Sequence, residues 1–231
     1  MNTHFRKDMD RLKARLIELA MAVEENTRRS VKALRELSPK LAREVVELDM
    51  KIDMLEVDVE EECLKILALH QPVAGDLRFV VTVLKINNEL EHIGDTACNI
   101  AKRVEFMASD PVRVIPPLDI ETMSSRMLWM LKNALDAFLS GDESLAYGVC
   151  EDDEIVDAEN RMTYSRVEKG IKNDPSSAMA QLNYLTVSRM FERAADLCTN
   201  IAEDVIYMKS GEIVRHNMRE AVRKYREGRG G

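Results

Sequence analysis

The sequence predicts an all-α protein of six long helices, arranged as two tandem, repeat-related three-helix bundles. Three observations carry that prediction. Gly (9) and Pro (6) are scarce among 231 residues, whereas good helix formers, including 14 Met, are plentiful. Apolar residues recur at alternating four- and three-residue steps along most of the chain. Acidic blocks in one half reappear in the other at a nearly constant offset.

The first helix is read from Leu12, Leu16, Leu19, Val23, Asn26, Ser30, Ala33 and Leu37, one stripe for partner helices. Ser38-Pro39 then reads as an N-cap followed by proline at the first helical position. A second stripe (Leu41, Val45, Leu48, Ile52, Leu55, Val59) runs towards His70-Gln71-Pro72. Pro72 stops it, because proline disfavours helical geometry at the preceding residue. The third helix begins after Gly75 and carries Ile86, Leu90, Ile93, Ala97, Ile100, Val104 and Met107. Residues 109–117 hold three prolines and divide residues 1–112 from residues 113–231.

The pattern restarts with Met123, Met127, Met130 or Leu131, and Leu135, and runs to Gly141, a residue suited to end a helix. Asp142 caps the fifth helix, which continues to about Ile171. Asp174-Pro175 opens the sixth, with Val187, Met190, Ala194, Leu197, Ile201, Val205 and Met208, ending at Gly211. Helices of about 30 residues are near 45 Å long. Short connections make them antiparallel neighbours. The basic tail, residues 215–231, reads as a solvated helical extension.

Hydrophobic residues make up 45% of the chain and charged residues 32%, enough apolar material for a core. A net charge of −8 argues against a sequence-independent nucleic-acid binder and suits metal cations or a basic partner. No apolar run approaches the roughly 18 residues needed to span a bilayer. The first 30 residues carry charges throughout and no signal-peptide core. The expectation is a soluble, cytoplasmic protein that meets a membrane only through partners. Cys63, Cys98, Cys150 and Cys198 show no CxxC spacing and are expected as buried free thiols.

The repeat is sharpest in its acids. Asp49-Met-Lys-Ile-Asp53 on the second helix returns as Asp153-Glu-Ile-Val-Asp157, 104 residues on. Glu91 and Asp95 on the third helix return as Glu192 and Asp196, 101 residues on. Spacing alone proves little: chance supplies about seven acid pairs at i,i+4 in such a chain, most of them solvated faces. Two helices per half at matching register say more, because antiparallel neighbours bring four carboxylates together in each half. Asp49 and Asp53 follow the stripe residues Leu48 and Ile52, so they flank the packing seam. Carboxylates clustered there are costly unless protonated or neutralised by cations. The donors are all oxygen: no His-x-x-x-His, Cys pair or Glu-x-x-His accompanies them, and His92 is expected to point elsewhere. Such sets favour Mg, Ca, Mn or Fe, with zinc also open, and four acids sharing several ions make a multinuclear cluster.

Blander readings suit other residues. Asn99 and Asn200 either orient ligands or bond across an interface. Trp129 and the Met-rich fourth helix read as core. His70 reads as a cap or surface residue.

The stretch LDMKIDMLEVDVEEECLKILALHQPVAGDLRFVVTVLKINNELEHIGDTACNIAKR resembles the signature of the PhoU family of phosphate-uptake regulators. In the second half, DDEIVDAEN, NDP and LTVSRMFERAADLCTNIAEDVIYMKSGEIVRH resemble that family's second repeat. The resemblance covers essentially the whole chain. It implies the six-helix, two-bundle fold, and multinuclear iron or zinc clusters on E(D)xxxD motifs. Carried over by position, the ligands are Asp49, Asp53, Glu91 and Asp95 at one site, and Asp153, Asp157, Glu192 and Asp196 at the other. The chain departs from the family in having His92 where arginine is usual, which removes a permanent charge beside the first site, while the second keeps Arg193. The family's role implies a negative regulator of the phosphate-starvation response. It also implies an adaptor between the ATPase subunit of a phosphate ABC transporter and a sensor histidine kinase, a homodimer, and no enzymatic activity. The rival is a metalloenzyme, a phosphoester hydrolase or di-iron oxidase, since carboxylate-bound metals activate water or oxygen.

Overall fold

The computed structural model describes residues 3–211 and 218–229. The described residues form helices and no strands: α1 (Thr3–Glu36), α2 (Pro39–His70), α3 (Ala74–Ser109), α4 (Ile120–Ser140), α5 (Glu143–Asn173), a 3-10 turn (Pro175–Ser177), α6 (Ala178–Ser210) and α7 (Met218–Arg229). The six long helices match the expectation. The tail forms a seventh, short helix, in keeping with the helical extension expected there, and residues 215–217, 230 and 231 of that tail lie outside the described residues.

The helix ends follow from local chemistry. Ser38 accepts a hydrogen bond from the Leu41 amide, with Pro39 opening α2. Before it, α1 closes with the Ser38 amide bonded to the Ala33 carbonyl and Leu37 in the left-handed region (φ 44°). Gln71, barred from helical geometry by Pro72, turns left-handed at φ 45° and ends α2. Gly141 ends α4 at φ 65°, where a Cβ would be strained. Asp142 then receives the Ser144 and Leu145 amides at 2.8 and 3.2 Å. Replacing Asp142 by Ala is expected to cost about 1 kcal/mol, read from urea unfolding followed by circular dichroism. Asp174-Pro175 opens the 3-10 turn, and α6 follows from Ala178.

The stripes do what their period requires. Leu12, Leu16, Leu19 and Val23 of α1 meet Val45, Ile52 and Val59 of α2 and Ile86, Leu90, Ile93 and Ile100 of α3 in one core. Met123, Met127, Met130 and Leu131 of α4 pack with α5 and α6 in the same way. The bundles join where α3 lies on α6 and α1 on α4. The α3–α6 seam is polar: Lys85 Nζ meets Asp204 Oδ1 at 3.0 Å, Arg103 meets Asn183 at 3.2 Å, and Asn200 reaches Glu89 at 3.4 Å. Asn200 therefore bonds across the interface, one of its two expected roles. Among the described residues, α2 packs only on α1 and α3, and α5 only on α4, α6, the 3-10 turn and α7. Of the acid-bearing helices, α2 and α5 thus lie away from the bundle junction, whereas α3 and α6 form it.

Two expectations are corrected. Trp129 is 38% exposed, not core. It lies two residues past Met127, about 200° further round the helix, so it leaves the buried stripe. His70 is neither cap nor free surface. Gln71 takes the cap position, while His70 Nε2 lies 2.9 Å from Asp8 Oδ2 and its ring packs on Phe5, tying α2 to α1. That bond holds the Asp8 carboxyl below the usual range. Cys63, Cys98 and Cys198 are buried free thiols as expected, and Cys150 is half-buried.

Candidate metal centres

The first cluster lies on the α2–α3 seam. Gly94 marks a close approach: a Cβ there would stand 3.2 Å from Ile52 Cγ2 and 3.9 Å from Asp49 Oδ1. Asp49 therefore reaches the α3 backbone between Glu91 and Asp95. The four acids act on one another. Burial raises the Asp49 carboxyl above its ordinary range, and the charges of Asp53 and Asp95 push the same way. The Cys98 thiol, in hydrogen-bonding reach, and Lys102 oppose them. Burial raises Glu91 too, reinforced by Asp95, Asp53 and Asp49. Glu56, three residues past Asp53, shares this field and receives the Asn87 amide at 2.9 Å.

His92 does not point elsewhere. Its Nδ1 lies 2.8 Å from Glu91 Oε2 and 2.8 Å from the Asn88 carbonyl. The ring folds back one turn onto its own helix, the usual reach of a side chain leaning towards the N-terminus. His92 thus places an imidazole in direct contact with a cluster acid.

The second cluster lies on the α5–α6 seam and is the more buried. The Asp153 carboxyl is pushed up to about 7, first by burial, then by the charges of Asp196, Asp157 and Glu192. Its Oδ1 is buried and receives no hydrogen bond. Burial raises Glu192 and Asp196 as well; the charges of Asp196 and Asp157 add to the rise at Glu192, and that of Asp157 to the rise at Asp196. Arg161 meets Asp157 at 3.4 Å and Glu154 at 2.7 Å. Its α5 acids, Asp153 and Asp157, line a cleft of about 430 Å³ together with Glu154, Thr199, Val222 and Arg226, among others.

All eight acids named from the sequence thus fall into two groups of four, one per bundle. Among the described residues, no three His, Cys, Asp or Glu side chains already stand in metal-holding geometry. The donor chemistry fits a hard cation nonetheless. Eight carboxylates offer oxygen alone, and a buried, unbonded carboxylate oxygen such as Asp153 Oδ1 needs a proton or a cation. Sequence reasoning missed Lys102, Arg161 and the packing of α7 on α5. The first two were within reach of it, since Lys102 is seven residues past Asp95 and Arg161 four past Asp157.

Two tandem three-helix bundles, each with an acid pair on its second helix facing one on its third, define a repeat class of all-α protein. The chain belongs to the PhoU family: the PhoU domain model matches residues 16–104 and 120–205. It is similar to a phosphate-specific transport system accessory protein PhoU homolog of Aquifex aeolicus, 36% identical over 210 residues, 91% of this chain and 95% of that one. It is likewise similar to the PhoU homolog 1 of Thermotoga maritima, 30% identical over 98% of this chain and 96% of that one. The crystal structure of PhoU from Pseudomonas aeruginosa superposes with a TM-score of 0.87 at 32% identity, over 90% of this chain and all of that one.

Proposed function

We propose that the chain is a cytoplasmic regulator of phosphate uptake and phosphate homeostasis. It acts as a negative regulator of the phosphate-starvation response, linking the ATPase subunit of a phosphate ABC transporter to a sensor histidine kinase. The observation that carries this reading is the near full-length similarity, in both repeats, to proteins named as phosphate-specific transport accessory proteins. A docking role also suits the surface. Met50 and Met54 flank Asp53 on α2 at 72% and 71% exposure, and adaptable thioethers on an open helix face favour partner contacts. Among the described residues no helix is long and apolar enough to cross a membrane, so contact with the membrane is made through partners. The chain works as a homodimer, and its role is regulatory and not enzymatic.

The two acid clusters hold multinuclear metal clusters, iron or zinc foremost, with Asp49, Asp53, Glu91 and Asp95 at one and Asp153, Asp157, Glu192 and Asp196 at the other. Bound metal would supply positive charge beyond what Lys102 gives the first seam and Arg161 the second.

Deleting the gene is expected to raise expression of phosphate-starvation genes severalfold in phosphate-rich medium and to cause excess phosphate uptake. Expression and uptake unchanged from the parent strain would contradict the regulatory role. A pull-down from phosphate-replete cells, scored for a transporter ATPase and a histidine kinase, tests the adaptor role separately.

A further inference from the structure

The two repeats differ on the outer face of their second helix. Met50, Met54, Val57 and Leu64 of α2 recur at steps of four, three and seven, on the side away from the buried Ile52, Val59 and Ile66. Val57 and Leu64 are 48% and 54% exposed, and the two methionines more so. Glu61, also exposed, is the one charge that interrupts the stripe between them. The same positions on α5, 104 residues on, are Glu154, Ala158, Arg161 and Glu168. There Arg161 pairs with Glu154 at 2.7 Å and Lys172 with Glu168 at 2.5 Å, as on a solvated helix face. The apolar stripe therefore belongs to the first repeat and not to the shared bundle architecture. Among the described residues α2 packs only on α1 and α3, which carry the second bundle on their other side, so the stripe is open along its length.

Its flanking charges match a second copy of the same helix. An antiparallel pairing about a two-fold axis between Met54 and Val57 sets Met54 against the second copy's Val57, and Val46 against its Leu67. Glu61 then comes to the second copy's Met50, next to its Lys51. On the α1 flank, Lys51 meets the second copy's Asp58 and Glu44 meets its Lys65, each pair occurring twice by symmetry. The Asp58 side chain is 55% exposed beside Arg15, which leaves it room for a second cation. On the α3 flank, Asp53 faces the second copy's Glu60, a like-charge pair that weakens the contact. Opposite charges thus outnumber like ones two to one.

We propose that the outer face of α2 is the two-fold interface between two copies of this chain, closed by an antiparallel α2–α2 pair. This rests on the homodimer reading above and adds where the copies meet. From Glu44 to Leu67 the contact is about 35 Å long. It lies at the small end of specific interfaces, roughly 1,200 Å², which suits a reversible dimer.

The test is sedimentation equilibrium of the full chain in chelator, with circular dichroism confirming that each variant stays helical. Met54→Glu/Val57→Glu is expected to weaken the dimer by roughly thirtyfold or more. Ala158→Glu/Ser165→Glu, which adds the same charge to the equivalent face of α5, is expected to leave it unchanged. Lys51→Glu and Asp58→Lys are each expected to weaken self-association about fivefold, because each turns two attractive pairs repulsive. Mixed together, those two chains are expected to pair with one another in preference to themselves, since each supplies the charge that the other has lost. A dimer as tight in Met54→Glu/Val57→Glu as in the unaltered chain overturns the interface and leaves the homodimer reading standing. Mixing without preference overturns the antiparallel register. An unaltered chain that stays monomeric at every concentration overturns both the interface and the homodimer reading.

Discussion

Saturating divalent metal is expected to stabilise the protein by about 2.7 kcal/mol for each cluster at a hundredfold excess over Kd, and the gain disappears stepwise as the clusters are removed. For a chain of this size each step corresponds to a rise in melting temperature of roughly 5–10 °C. The physical source is the unfavourable apo state. In each cluster four acids share a seam, with burial and mutual repulsion raising Asp49, Glu91, Asp153, Glu192 and Asp196 together. Removing acids therefore acts in opposite directions with and without metal. Without metal, Glu192→Ala/Asp196→Ala relieves repulsion around Asp153 and is expected to melt at or above the temperature of the unaltered chain. With metal, it loses the second cluster's share of the stabilisation. Calorimetry of both proteins in chelator and in excess zinc checks this crossing. Solvated, independent acids would give parallel shifts and no crossing.

The second large effect is a pH dependence carried by Asp153. Its carboxyl titrates at about 7 in the folded protein, against an ordinary 3.8. Above pH 4 the unfolded chain releases this proton while the folded chain keeps it. Stability contributed by the group therefore falls as pH rises from about 4 to about 7. The full rise corresponds to about 4 kcal/mol, and solvent at the cleft reduces that to about 2 kcal/mol. Asp153→Asn removes the loss. In chelator, the Asn variant is expected to match the unaltered chain near pH 4 and exceed it by about 2 kcal/mol at pH 8, measured by urea unfolding. A constant difference across that range would show that Asp153 is already solvated. Metal reverses the order at pH 8, since Asn gives up an anionic oxygen ligand.

Much of the architecture was legible because it is written locally. Each helix carries its own period, and its ends are set by residues within four positions. Ser38, Gly141, Asp142 and Gly211 all cap where the sequence put them. The acid clusters were legible for a different reason. A duplicated spacing on two neighbouring helices fixes the face and the partner at once, which a single Glu-x-x-x-Asp does not. What escaped depends on contacts between residues far apart in sequence. The His70–Asp8 tie spans 62 residues, and the Arg226–Glu151 pair that docks α7 spans 75. His92 was misread because attention to its ligand spacing ignored the lean of a helical side chain over the preceding turn. Lys102 was available from the repeat itself: setting it against Glu203 shows that the halves differ in charge beside otherwise matching acids.

The central claim is that the repeated acids are two cation sites. Elemental analysis after anaerobic reconstitution with iron, and separately with zinc, tests it most directly. The unaltered chain should retain metal through gel filtration. Glu91→Ala/Asp95→Ala and Glu192→Ala/Asp196→Ala should each lose one cluster's share, and the quadruple variant should retain none. Metal content in the quadruple variant equal to that of the unaltered chain, or a reconstituted chain without metal, would contradict the account and leave the acids as solvated helix faces.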